Sequence, residues 1–305
     1  MRRVVTFVIT LTIISLACGL FTPASNPGVQ PVTPIATVPE PQPFTPVPTF
    51  TLQVPTVSVQ PPPAMAPEAG YLLEEERQID GYAIRVWRNP NSEIGFDNIL
   101  LIERAGQPSI RVNMASAIHD VTGSDVNGDD YPEVVVETFS GGAHCCFGTQ
   151  VYSLREAAVL ILQKPESNAG GYFEDLNGDY ILEFVTYEDA FAYQYCPYAA
   201  GVGVKSMLTY DFEKDTYIPA SPRFPEQYTE DIATHEQRAT AAPGEMGEWD
   251  GTNICAILPL ALDYLYTGQP AKAQTEFASR YSGLDTDAKW EKILQIVQGS
   301  PLYTP

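Results

Sequence analysis

Histidine and basic charge are scarce in this 305-residue chain. It has three histidines, and 17 lysines and arginines against 38 aspartates and glutamates, for a formal net charge of −21. The shortage of Lys and Arg argues against a nucleic-acid partner, because neutralising phosphates needs clustered cations. The chain also lacks a G-x-S-x-G elbow, an H-E-x-x-H pair and a phosphate-cradling glycine loop, so the familiar signatures of hydrolase, metalloprotease and nucleotide chemistry are missing. His119 and His235 stand in no motif. A comfortable membrane span needs roughly twenty apolar residues, and the run Val4 to Leu16 is shorter than that.

That run follows Arg2 and Arg3 and precedes Ala17-Cys18, the layout of an export signal over residues 1–18. Ser15-Leu16-Ala17-Cys18 resembles a bacterial lipobox, which implies a lipid on Cys18 and an exported protein held on the outward face of the cell membrane. Residues 19–69 carry 14 of the 27 prolines and only Glu40 and Glu68 as charges. Such a stretch cannot bury a core and reads as a Pro-rich linker.

Beyond it the pattern is that of short strands. Tyr82 to Trp87 alternates apolar and polar residues, the period of a half-buried strand. Three strand–turn–strand units follow: Ile99–Ile102 with Ile110–Val112, Gln150–Leu154 with Val159–Leu162, and Met207–Phe212 with Thr216–Ile218. Residues 70–220 are thus expected to form a β-rich repeat domain, and 221–250 a connector. Residues 251–305 are expected to form a helical subdomain, with helices over Asn253–Thr267, Ala271–Tyr281 and Thr286–Gln298.

Two acidic stretches punctuate the β region. Asp125 to Glu133 reads D-V-N-G-D-D-Y-P-E and runs into Val134-Val135-Val136. Asp175 to Glu183 reads D-L-N-G-D-Y-I-L-E and runs into Phe184-Val185-Thr186. Oxygen-bearing side chains at alternate positions of a tight loop suit a hard cation that takes six to eight oxygen ligands. The two loops resemble the calcium loops of FG-GAP or VCBS-type repeats, the blade units of integrin-α-like β-propellers. The resemblance implies ligands Asp125, Asn127, Asp129, Glu133 and the Tyr131 carbonyl in the first loop. In the second it implies Asp175, Asn177, Asp179, Glu183 and the Ile181 carbonyl, with Ca²⁺ in a structural role. Two departures stand out: the sixth position, commonly Gly, is Asp130 or Tyr180, and the closing residue is Glu rather than Asp. Two repeats and a leading hairpin fall short of the four blades of a closed ring. The expected fold is therefore mainly β, with propeller-blade-like antiparallel repeats that do not close, and a C-terminal helical subdomain.

The four cysteines after Cys18 are disulfide candidates in an exported chain: Cys145, Cys146, Cys196 and Cys255. The expected arrangement links Cys196 to one of the adjacent pair and Cys255 to the other, with a Cys145–Cys146 bridge as the remaining option. His144 beside two thiols also suggests a soft-metal or reactive-thiol site, but neighbouring strand residues point to opposite faces. Gly141-Gly142-Ala143-His144-Cys145-Cys146 additionally looks like a segment of exported bacterial proteins with such repeats. The helical end resembles one tetratricopeptide hairpin at Tyr264, Gly268, Ala273 and Phe277; a single unit cannot bury its own face, so a cap on the β domain is expected. The expected function is a lipid-anchored binding or scaffolding module for an unknown extracellular protein or glycan. The alternative is an envelope-polymer hydrolase with an acidic cleft.

Overall fold

A computed structural model describes residues 60–92, 96–143, 145–201 and 203–305. Cys18, the leader, the linker up to residue 59 and His144 lie outside the described residues. The described residues, from Gln60 on, form one compact unit. It is mainly β, with three four-stranded antiparallel sheets, none closed, followed by four helices.

Each sheet takes four consecutive strands. The first holds β1 (Leu72–Ile79), β2 (Tyr82–Arg88), β3 (Ile99–Arg104) and β4 (Ile110–Asn113). The second holds β5 (Ala115–Ile118), β6 (Glu133–Phe139), β7 (Phe147–Leu154) and β8 (Ala158–Ser167). The third holds β9 (Gly171–Glu174), β10 (Glu183–Glu188), β11 (Val204–Asp211) and β12 (Thr216–Pro219). Period-two geometry sends alternate residues to opposite faces. Val134 and Val136 of β6 therefore join Ile84, Val86, Leu100 and Ile102 of the first sheet in one core. Val135, between them, joins Phe184, Leu208 and Tyr217 of the third sheet in another. The unbroken valine run thus belongs to a strand covered on both faces.

The third sheet turns its other face to the helices. Val185, Val204 and Met207 pack with α2 (Ile254–Tyr266), all thirteen residues of which are buried. Around α2 lie α1 (Thr229–Arg238), α3 (Pro270–Arg280) and α4 (Thr286–Gln298). α1 differs from the expected connector; every one of its side chains keeps some exposure, so no apolar stripe announces it. Among the described residues, no helix is long and apolar enough to cross a membrane.

The outer face of the first sheet also departs from expectation. Arg85 is only 2 % exposed. Its guanidinium donates to Glu76 at 3.0 Å, to Glu103 at 2.7 Å and to the Pro62 carbonyl at 2.7 Å. Tyr71 packs beside Trp87, Ile99 and Leu101. The end of the proline-rich stretch, from Gln60 on, therefore lies on this sheet.

The cysteines pair differently from the expected arrangement. Cys145 bonds Cys146, and Cys196 bonds Cys255 across 59 positions with Cα atoms 6.1 Å apart. Cys196 and Cys255 share the core between the third sheet and α2, whereas Cys145 and Cys146 sit in the β6–β7 connection. The fold thus separates the pairs that the sequence reading had joined.

Candidate metal centre

Both acidic loops join the first strand of a sheet to its second, β5 to β6 and β9 to β10. In the first sheet the same connection is a tight turn at Asp80-Gly81, both residues with positive φ. The two loops repeat one hydrogen-bond pattern. Asp125 Oδ1 accepts from the backbone N–H of Gly128 at 2.7 Å, as Asp175 Oδ1 does from Gly178 at 2.7 Å. Oδ2 of the same residues accepts from Asp130 at 2.9 Å and from Tyr180 at 3.0 Å. Asn127 Oδ1 takes the N–H of Asp129 at 3.1 Å, and Asn177 that of Asp179 at 2.9 Å. Asp129 Oδ1 then takes the Tyr131 N–H and Asp179 Oδ1 the Ile181 N–H, each at 2.9 Å. Each closing Glu reaches back to the second loop position: Glu133 to Val126 N–H at 2.8 Å, Glu183 to Leu176 N–H at 2.9 Å.

The sixth position, where Gly was expected, adopts the left-handed region in both loops, φ 68° at Asp130 and 69° at Tyr180. The geometry that favours Gly is present without the Gly, so each loop carries backbone strain.

The loops also meet each other. Leu182 N–H donates to the Val126 carbonyl at 2.8 Å, and the buried Tyr217 hydroxyl lies 3.1 Å from Leu182 O and 3.4 Å from Val126 O. Burial pushes the Tyr217 phenol well above its ordinary range, with Glu133 and Glu183 adding to the effect, so it stays a neutral donor.

Their electrostatics differ. Asp125, Asp129 and Glu133 bring ligand oxygens within 4.8 Å of one another, the one such acidic group among the described residues. Glu133 is fully buried, and its Oε1 has no hydrogen-bond partner. Burial pushes its carboxyl up to about 8; Asp129 and Asp125 push in the same direction, against the Val126 N–H and the nearby Ser153. Asn127 Nδ2 is likewise buried without an acceptor. In the second loop the corresponding groups meet: Asn177 Nδ2 lies 3.4 Å from Glu183 Oε1 and 3.0 Å from Asp179 Oδ2. Glu183 is also pushed up, chiefly by burial. The unmet donor–acceptor demand therefore sits in the first loop. A buried acceptor that lacks a donor costs about 1–3 kcal/mol, and a cation removes that cost.

Sequence reasoning missed the partner that holds this loop from outside. Arg155, read only as a turn residue, donates to Asp129 Oδ2 at 2.6 Å, to Asp215 at 2.6 Å and to the Tyr210 hydroxyl at 2.8 Å. Asp215, foremost, with Asp129 and Tyr210, keeps its guanidinium charged well above the usual range. No spacing rule could have found it, because Arg155 is 26 positions from Asp129 and 60 from Asp215.

His119 and His235 lie apart from the loops' donor sets. His119 Nδ1 accepts from Val121 N–H at 3.3 Å, and His235 Nδ1 lies 2.6 Å from Asp263 of α2. Comparison with family models, characterised proteins and solved structures finds no match to the chain.

Proposed function

We propose that the chain is an exported, lipid-anchored module for binding or scaffolding at the cell surface, with Ca²⁺ pinning its acidic loops. The observation that carries the metal is Glu133 Oε1, buried and unpartnered beside Asp125 and Asp129. A hard divalent cation supplies the positive partner that this oxygen lacks. Its role is structural: bridging oxygens from one end of the loop to the other turns binding energy into folding energy. The sequential four-strand sheets, with equivalent loops at equivalent connections, support the propeller-type repeat reading.

The test is Ca²⁺ titration calorimetry after chelation, with thermal unfolding recorded in parallel, on the wild type and on Asp125→Ala with Asp175→Ala. Two saturable events, a raised Tm and loss of both in the double variant are expected. A flat titration with an unmoved Tm would reduce the loops to turns.

A further inference from the structure

The two disulfides stand in opposite surroundings. Cys196 and Cys255 are 2 % and 0 % exposed and close a loop across 59 positions. A long closed loop restricts the unfolded chain, so that bond stabilises the fold. Cys145 and Cys146 are neighbours in sequence, and a bond between neighbours restricts the unfolded chain very little. Cys146 is buried, but Cys145 is exposed. The second bond therefore adds little as a staple, and one of its sulfur-bearing residues lies within reach of a thiol.

The connection from β6 to β7 is shaped around this pair. Gly142 has φ 139°, and a Cβ there would stand 2.9 Å from the sulfurs of both Cys145 and Cys146. Gly141 has φ 89°, and a Cβ there would stand 2.7 Å from the Phe96 ring. The two glycines thus leave room for the bonded sulfurs and for that ring. Phe96 meets Phe139 edge-on and Phe139 stacks on Phe147, with centroids 4.9 and 4.6 Å apart. Cys146 itself holds φ 95°, in the left-handed region that a residue with a Cβ enters at a cost. Its carbonyl accepts the Ser140 N–H at 3.1 Å, and the next residue, Phe147, begins β7.

We infer that Cys145–Cys146 is a redox-active site that exchanges with an external dithiol, and that its opening loosens the start of β7. A thiolate of the dithiol attacks the Cys145 sulfur, the S–S bond breaks, and its electron pair leaves on Cys146. The second thiolate of the dithiol then attacks the dithiol's own sulfur in the mixed disulfide, and Cys145 leaves as a thiolate. The dithiol becomes a disulfide, and the two protons it gives up are those the two cysteines gain. Exposure directs the attack to Cys145, and burial withholds Cys196–Cys255 from the same reaction. Neither the metal loops nor the anchor takes part.

The full chain is equilibrated with graded ratios of reduced to oxidised dithiothreitol, and free thiols are alkylated and located by mass spectrometry. Cys145 and Cys146 are expected to open together, with an equilibrium constant at least about 100-fold more favourable than that of Cys196–Cys255. Glutathione, a monothiol, should be trapped on Cys145 at least about tenfold more than on Cys146. Amide exchange at Ser140 should quicken at least about tenfold on opening, while circular dichroism stays that of the folded protein. Gly142→Ala should shift the equilibrium toward the dithiol at least about tenfold, because its methyl meets the bonded sulfurs and free thiols can turn away from it. Its backbone strain is common to both redox states and drops out of that comparison, and an intact Cys196–Cys255 bond verifies that the variant folds. A Cys145–Cys146 bond missing from the oxidised protein, or one as resistant to dithiothreitol as Cys196–Cys255, overturns the proposal. So does glutathione found mainly on Cys146, or Ser140 exchange that ignores the redox state.

Discussion

Tyr180 shows how a single residue can be legible in sequence and still be explained only by geometry. Its place as the sixth residue of an acidic loop marked it as a departure from Gly, and the structure gives the consequence, φ 69° with a side chain 88 % exposed. A left-handed non-glycine residue costs about 1–2 kcal/mol, part of which Gly returns through the entropy of the unfolded chain. Tyr180→Gly is therefore expected to stabilise the protein by about 0.5–1 kcal/mol in urea titrations; an unchanged or lowered midpoint would show that the tyrosine earns its conformation through contacts. Lys164 was invisible by contrast, because nothing in K-P-E-S announces a lysine 3 % exposed. Burial lowers its pKa to about 8, against the opposing pull of Asp189 and Glu188. Between pH 8 and its unfolded value near 10.5 the unfolded chain holds a proton that the folded chain has released, so this residue's penalty, complete below pH 8, shrinks as pH rises. The wild type should gain about 1–2 kcal/mol relative to Lys164→Met between pH 7.5 and 9.5. Equal pH slopes in the two proteins would refute the assignment.

At the scale of elements, readability followed burial pattern and length. β3 and β4, bounded by Ala105-Gly106-Gln107-Pro108, could be read because apolar runs flank a turn signal. β1 could not: Glu74-Glu75-Glu76-Arg77 fills an edge strand whose side chains keep some exposure, and charge there suppresses the strand signal. β5 and β9, four residues each, are too short to show a period. Helix α2 was legible despite Pro259, and the structure explains how it tolerates the proline. Proline removes the N–H that would bond the carbonyl four residues earlier, here Cys255. Arg238 of α1 supplies the replacement, donating to Cys255 O at 2.8 Å and to Ala200 O at 2.8 Å. Burial lowers the Arg238 pKa from its usual high value. Arg238→Ala is expected to cost about 2–3 kcal/mol in the native background, because it orphans two carbonyls at once. In Pro259→Ala the helix bonds Cys255 O itself, so the same change should cost about 1 kcal/mol less. Additive costs across that double-mutant cycle would mean that Arg238 and Pro259 act independently.

For the whole molecule, what the sequence conveyed was composition, and what it withheld was pairing. The strand-rich middle and helical end could be read because most of their longer elements carry their own period. The Cys196–Cys255 link and the Arg155 clasp join residues whose proximity only the packing of sheets and helices creates. The same division bears on the proposed anchor. Among the described residues, which begin at Gln60, the chain settles on the first sheet at Pro62. Cys18 is more than forty positions earlier. Attachment and folding should then be separable. Cys18→Ser is expected to move the protein from the membrane to the soluble fraction, while Tm and the Ca²⁺ response of the body stay within error of the wild type. Mass spectrometry of the wild type should find a diacylglyceryl mass on a mature N-terminal Cys18. A variant that stays with the membrane would show that the leader, or a surface of the body, holds the protein there instead. A variant that leaves the membrane but also loses its Ca²⁺-dependent Tm would show that the segment before Gln60 contributes to the fold.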